Sequence, residues 1–129
     1  MNGRYLLDTN IVIALFANED AIRLQLNQAP EVFIPSIVLG ELYFGAQKSA
    51  RIAANIARID ELASTVPIIN CDSITAREYG KLKNQLRSIG KPIPENDIWI
   101  AAAAQQHFLT LITRDQHFQH VAGLRLDTW

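Results

Sequence analysis

A single cysteine, Cys71, occurs in the whole chain, so neither a disulfide framework within the chain nor a cysteine-based zinc cluster is open to it. Following the apolar run 66–69, Cys71 reads as a small buried residue kept reduced in a cytoplasm. Long apolar runs are missing as well. Asp8 and Asn10 interrupt the only early one, which excludes a signal peptide from our expectation, and nothing approaches the roughly 18 apolar residues of a membrane span. An excess of one charge is also lacking: 12 basic and 13 acidic residues leave a net charge of -1. Nucleic-acid binding through an overall basic surface is thereby excluded, and any contact with phosphates must be local or carried by metal ions. The chain contains no internal repeat and no low-complexity segment.

What remains is the composition of an ordinary folded protein. With 129 residues, 49% of them hydrophobic and 19% charged, residues 1–129 are expected to form one domain around one core.

Short apolar runs alternate with helical periodicity along the chain. Residues 5–7 read as a strand, followed by the polar turn Asp8, Thr9, Asn10 and a helix over 11–17. A second helix over 20–28 ends at Pro30, and 32–34 is the next strand. Pro35 and Ser36 restart a helix whose apolar stripe is Val38, Leu39, Leu42, Tyr43 and Ala46. A helix over 51–64 carries Ile52, Ile56, Ile59 and Leu62 on one face. Residues 66–69 form a third strand, which Pro67 assigns to an edge or a strand start. Asp72 or Ser73 caps a long helix with the stripe Ile74, Tyr79, Leu82 and Leu86, stopped by Gly90 and Pro92. A helix over 96–106 follows Pro94 and Glu95, and its small residues Ala101 to Ala104 permit close approach to a sheet. Residues 109–113 are a fourth strand and 124–126 a possible fifth. Continuous apolar strands alternating with helices specify an α/β fold with a parallel sheet of four to five short strands between helices.

Four acidic residues stand apart from the rest. Asp8 and Asp115 follow strands, where open parallel sheets place their ligand sites, and Asp97 lies in the first turn of its helix. Glu41 has Ile37, Val38, Phe44 and Gly45 as its helical neighbours, so its own helix offers it no cation. Each has an ordinary alternative: Asp8 and Asp115 as helix caps, Asp97 as a partner of the helix dipole, Glu41 as half of an ion pair with a distant arginine. Convergence at one sheet edge, without lysine in the adjoining turns, instead requires cations to offset mutual repulsion. Carboxylate ligands favour Mg2+, with Mn2+ as a substitute. His117 and His120 are three apart, a spacing that a metal can use on a helix. Nothing else near them supplies soft ligands, however, and a solvent-facing turn accounts for both, so zinc is not expected.

A divalent cation in such a pocket supports in-line hydrolysis of a phosphodiester by water, with products ending in 5′-phosphate and 3′-hydroxyl. Arg77, Lys81, Lys83, Arg87 and Lys91 form the one local basic run, either a track for a nucleic-acid backbone or a solvated helix face. Arg114, beside Asp115, is the better single candidate for a phosphate contact.

Four segments, YLLDTNIVI around Asp8, PSIVLGELYFG around Glu41, ENDIWIAAAA around Asp97 and LITRDQHF around Asp115, give the chain a resemblance to PIN-domain nucleases. It is similar in particular to the VapC-type toxins of bacterial type II toxin-antitoxin pairs. The resemblance spans nearly the whole chain and implies a PIN-like three-layer fold and a magnesium-dependent endoribonuclease. It assigns Asp8, Glu41, Asp97 and Asp115 as metal-binding and catalytic residues and places Thr9, Asn10, Ser36 and Thr113 in the pocket. It further implies a homodimer inhibited by a VapB-type antitoxin whose tail covers the active site, with DNA contacted only through that antitoxin. Two other readings compete. One is a PIN-type RNA-processing or RNA-binding domain outside any toxin-antitoxin pair. The other is a magnesium-dependent receiver module, which wants a phosphoryl-accepting aspartate after a mid-chain strand where this chain has Asn70 and Cys71.

Overall fold

The computed structural model describes residues 3–129. Five strands, β1 (Arg4–Leu7), β2 (Glu31–Pro35), β3 (Ile68–Ile69), β4 (Thr110–Ile112) and β5 (Leu126–Asp127), form one sheet in the order β3-β2-β1-β4-β5. Every pairing is parallel, with Leu6 opposite Phe33 on one side and Leu111 on the other. Leu6, Leu7, Ile34, Leu111 and Ile112 are buried, as the continuous apolar runs require of a sheet covered on both faces.

Six α-helices flank the sheet: α1 (Thr9–Phe16), α2 (Asp20–Gln28), α3 (Ser36–Gln47), α4 (Ile52–Thr65), α5 (Ser73–Ser88) and α6 (Glu95–Gln106). The expected stripe on α3 buries Val38, Leu42 and Ala46. α5 begins with a capping box in which the Asp72 carboxylate accepts from the Ile74 and Thr75 backbone N–H groups while the Thr75 hydroxyl accepts from the Asp72 N–H. Among the described residues no helix is long and apolar enough to cross a membrane.

α6 positions the site. Asp97, Ile98 and Ile100 through Ala104 are all buried, so this helix is enclosed on nearly every side, which its run of alanines makes sterically possible. A carboxylate in its first turn is therefore carried into the interior. Chain order along the sheet reverses beside β1, since β2 and β3 lie on one side and β4 and β5 on the other. The crevice beyond the carboxyl ends of β1 and β4 is thus the switch point at which open α/β sheets bind ligands.

Three expectations about individual residues are overturned. Cys71 is exposed, not buried, because β3 is a two-residue edge strand and Cys71 already lies in the connection to the cap of α5. Ile74 at 59% and Ile52 at 42% exposure lie off the buried stripes to which their spacing assigned them. Both sit in the first turn of their helices. In α5 the buried position of that turn belongs to Thr75.

Candidate active site

Asp8 is the first residue beyond β1, and its N–H still donates to the Ile112 carbonyl at 3.0 Å, extending the ladder with β4. Its side chain is only 3% exposed. One carboxylate oxygen accepts from the Thr9 N–H (2.9 Å), capping α1, and the other from the Thr113 hydroxyl (2.7 Å). The capping alternative is therefore real for Asp8, but it uses one oxygen. Burial pushes its pKa above the usual carboxylate value, against those hydrogen bonds and with help from the charges of Asp115 and Glu41.

Asp97 enters from α6, a helix with no side-chain cap. Its Oδ2 lies 2.6 Å from Nε2 of His117, on the 3-10 helix Gln116–His120 that follows β4. Burial and the neighbouring Asp8 charge raise its pKa from 3.8 to about 6, although His117 opposes the rise. Glu41, half-buried on α3, takes a short hydrogen bond from the Thr9 hydroxyl and a longer one from the Asn96 amide (3.4 Å). Asp115 stands at the rim. It precedes the 3-10 helix without capping it, which removes the alternative that would have explained it structurally.

Asn10 ties the cluster together. Its amide lies 3.3 Å from Asp8 Oδ2, 3.3 Å from Asp115 Oδ2 and 3.4 Å from the Thr113 hydroxyl, while its carbonyl accepts from the Arg114 N–H at 3.2 Å. The Thr113 hydroxyl also accepts from the Asp115 N–H at 3.0 Å. Thr9, Asn10 and Thr113, which the resemblance places in the pocket, thus hydrogen-bond to the acids. Ser36, at the start of α3, borders a shallow cleft with Glu41, Phe44 and Asn96. It lies beside the acids rather than among them.

Arg114 does not point into the cluster. Its guanidinium pairs with Glu19 at 2.8 Å and reaches the Trp129 carbonyl at 3.3 Å, so only its backbone serves the site, through Asn10. The basic run is also partly occupied: Lys81 pairs with Glu78 (3.6 Å), and Lys83 pairs with Glu95 (3.0 Å) and meets the Tyr79 hydroxyl.

Two residues of the site were not anticipated by sequence reasoning. Asn96 is one, and His117, which we assigned to a solvent-facing turn, is the other. The available signal was the spacing Asp115-x-His117 after a strand, which a 3-10 turn folds back toward the strand end. His120, three residues further, is exposed and lies outside the group that Asp97, Asp115 and His117 make.

Among the described residues, no lysine or arginine forms an ion pair with Asp8, Glu41, Asp97 or Asp115. The donor set is therefore four carboxylates and an imidazole, with the pKa values of Asp8 and Asp97 raised and no lysine or arginine paired to the cluster among the described residues, which fits a hard divalent cation.

Comparisons with known proteins give the family and the fold. The family model described as PIN domain matches residues 5–124. The chain is 38% identical over 129 residues to Ribonuclease VapC2 of Haemophilus influenzae, covering 98% of each chain. It is 33% identical over 130 residues to the tRNA(fMet)-specific endonuclease VapC of Shigella flexneri, again covering 98% of each. Among solved structures, VapBC2 from Rickettsia felis bound to a promoter DNA fragment matches with a TM-score of 0.90 and 32% identity over 97% of this chain and 98% of that one. DNA-bound VapBC from Salmonella typhimurium matches with a TM-score of 0.92 and 28% identity over 98% of both.

Proposed function

The chain belongs to the PIN domain family, and within it to the VapC ribonucleases, and from that premise we propose that it is the toxin of a type II toxin-antitoxin pair. In this reading residues 1–129 act as one nuclease domain, a magnesium-dependent endoribonuclease that hydrolyses RNA phosphodiester bonds with water and is held inactive by a VapB-type antitoxin. The observation that carries it is the convergence of Asp8, Glu41, Asp97 and Asp115, drawn from four separate elements, with buried members whose pKa values are pushed upward. Caps and surface charges do not need to converge.

Asp8, Asp97 and Asp115 would hold Mg2+ or Mn2+, with Glu41 at the side of the cluster. When bound, the cation neutralises charge on the phosphate and lowers the pKa of attacking water. The rest is done by the chain. Asn10 and Thr113 hold the Asp8 and Asp115 carboxylates in place through their amide and hydroxyl. Thr9 fixes one oxygen of Glu41, leaving the carboxylate oriented to accept the proton of water as the oxygen attacks phosphorus. The bond to the ribose 3′-oxygen breaks, and that oxygen takes up a proton, so the products end in 5′-phosphate and 3′-hydroxyl. Because the 2′-hydroxyl is not used, a 2′,3′-cyclic phosphate on the products of the purified protein would refute this chemistry.

Antitoxin, RNA and a second copy of the chain are the partners of this reading, with DNA approached through the antitoxin, since a net charge of -1 gives this chain little attraction for duplex DNA on its own. The deciding experiment is incubation of the purified protein with cellular RNA, with magnesium and with chelator, followed by sequencing of 5′-phosphorylated ends. We expect magnesium-dependent new ends, lost on addition of the co-encoded antitoxin. No new ends in magnesium would refute the reading. Glu41→Gln is expected to slow cleavage about a hundredfold, the usual scale for removing a positioned proton acceptor, with an unchanged circular dichroism spectrum. Asp115→Asn should cost less than Asp8→Asn, since its exposed position lets water replace a carboxylate oxygen.

A further inference from the structure

His117 is the one titratable group hydrogen-bonded to any of the four acids that the carboxylate chemistry leaves unused among the described residues. Asp97, Asp115 and His117 each offer one donor atom, and all three atoms lie within 4.8 Å of one another. A nitrogen next to a carboxylate has two ways to act. It can stand behind the carboxylate and orient it, or it can face the same space and bind what the carboxylate binds. An orienting imidazole approaches from the side away from the other donors. Here Nε2 meets Asp97 at 2.6 Å, and a ring nitrogen of His117 lies within 4.8 Å of a carboxylate oxygen of both Asp97 and Asp115, so the ring borders the gap between the two acids.

The ring is held there by its own turn. Phe118 is fully buried and anchors the 3-10 helix, and its ring lies 4.9 Å from that of His117. His117 keeps a side-chain exposure of 32%, so the ring is held in place without being closed off from solvent.

We propose that His117 is a direct nitrogen ligand of a cation shared with Asp97 and Asp115, making this a mixed nitrogen-oxygen site that discriminates in favour of Mn2+ over Mg2+. The inference rests on the reading above in one respect, that the cluster holds a divalent cation. Mg2+ keeps oxygen ligands and waters and gains little from an imidazole, whereas Mn2+ shares the preference for carboxylates but, as a first-row transition ion, also takes an imidazole nitrogen. The discrimination therefore resides in His117, while the carboxylates supply affinity for both ions.

The test is made on the full-length protein loaded with Mn2+. Pulsed electron paramagnetic resonance should show modulation from a directly coordinated 14N, which changes to the 15N pattern when histidine is 15N-labelled in the unsubstituted protein. His117→Gln should abolish the signal and His120→Gln should keep it. Calorimetric titration should show Mn2+ affinity weakened about tenfold in His117→Gln, the scale on which a metal site loses a ligand or its support, with Mg2+ affinity changed less than about threefold. Mn2+ bound without nitrogen modulation in the unsubstituted protein overturns the inference, as does modulation that survives in His117→Gln. Equal losses for both ions would also overturn it, because they mark an orienting role. Failure of the unsubstituted protein to bind either ion refutes the cation reading itself, and with it this inference. The labelled parent decides the question even if His117→Gln does not fold.

Discussion

Asp97→Asn is expected to abolish RNA cleavage, by about a thousandfold or more, which is roughly 4 kcal/mol of transition-state stabilisation. The substitution keeps the size of the side chain and its place in the first turn of α6, so the buried alanine run behind it packs as before. What it removes is the negative charge that meets His117 and is felt by Asp8, and with it a ligand that the cluster needs to hold a cation against phosphate. Asp8→Asn should cost a similar amount, because Asp8 is as deeply placed and shares the Thr113 hydroxyl with the rest of the site. The measurement is single-turnover cleavage of a labelled RNA at saturating magnesium, beside near-ultraviolet circular dichroism of each variant. Native spectra with cleavage within tenfold of the parent would remove Asp8 and Asp97 from the catalytic machinery.

The same carboxylate should make the metal-free protein less stable at neutral pH. Asp97 titrates at about 6 in the fold against 3.8 ordinarily, so the folded state binds more protons than the unfolded one between those values. Its favourable contribution is complete below pH 3.8 and is lost as pH rises through 6. With a side chain only 12% exposed, solvent screening is weak, and the displacement corresponds to about 3 kcal/mol at about 1.4 kcal/mol per pH unit. Asp8 shifts in the same direction for the same first reason, burial. In chelator, then, the melting temperature should fall as pH rises from 4 to 6.5, and Asp97→Asn should melt higher than the parent at neutral pH by about 10 °C. Magnesium at about 100 times its dissociation constant should add roughly 2.7 kcal/mol to the parent and much less to the variant. Melts are compared at one protein concentration because a homodimer is expected. A variant that melts below the parent in chelator, with equal gains from magnesium, would make Asp97 a structural residue.

The residues that were hardest to read are those whose role depends on distant parts of the chain. Asn10 and Asp115 are separated by 105 positions and meet at 3.3 Å. Thr9 reaches Glu41 across 32 positions. Three of the four acids drew attention because each broke a local expectation: Glu41 lacked a cation on its own helix, and Asp8 and Asp115 followed apolar strands. Arg114 broke none, and its assignment to phosphate gave way to the pair with Glu19. His117 broke none either, since a histidine in a polar turn is ordinary.

The sequence by itself determined the order of strands and helices, the parallel sheet and the four acids, because apolar period, caps and breakers act within about one turn or one strand and leave their record in adjacent residues. The Asp72–Thr75 capping box and the alanine run of α6 are both of this kind. Tertiary structure alone decided that Arg114 turns to Glu19, that His117 meets Asp97, and that Cys71, Ile52 and Ile74 are exposed. The physical reason is the same for each: periodicity records which face of an element is apolar, whereas the partner of a charged or polar group, and the cover over an element's end, depend on where separate elements stop relative to one another in space.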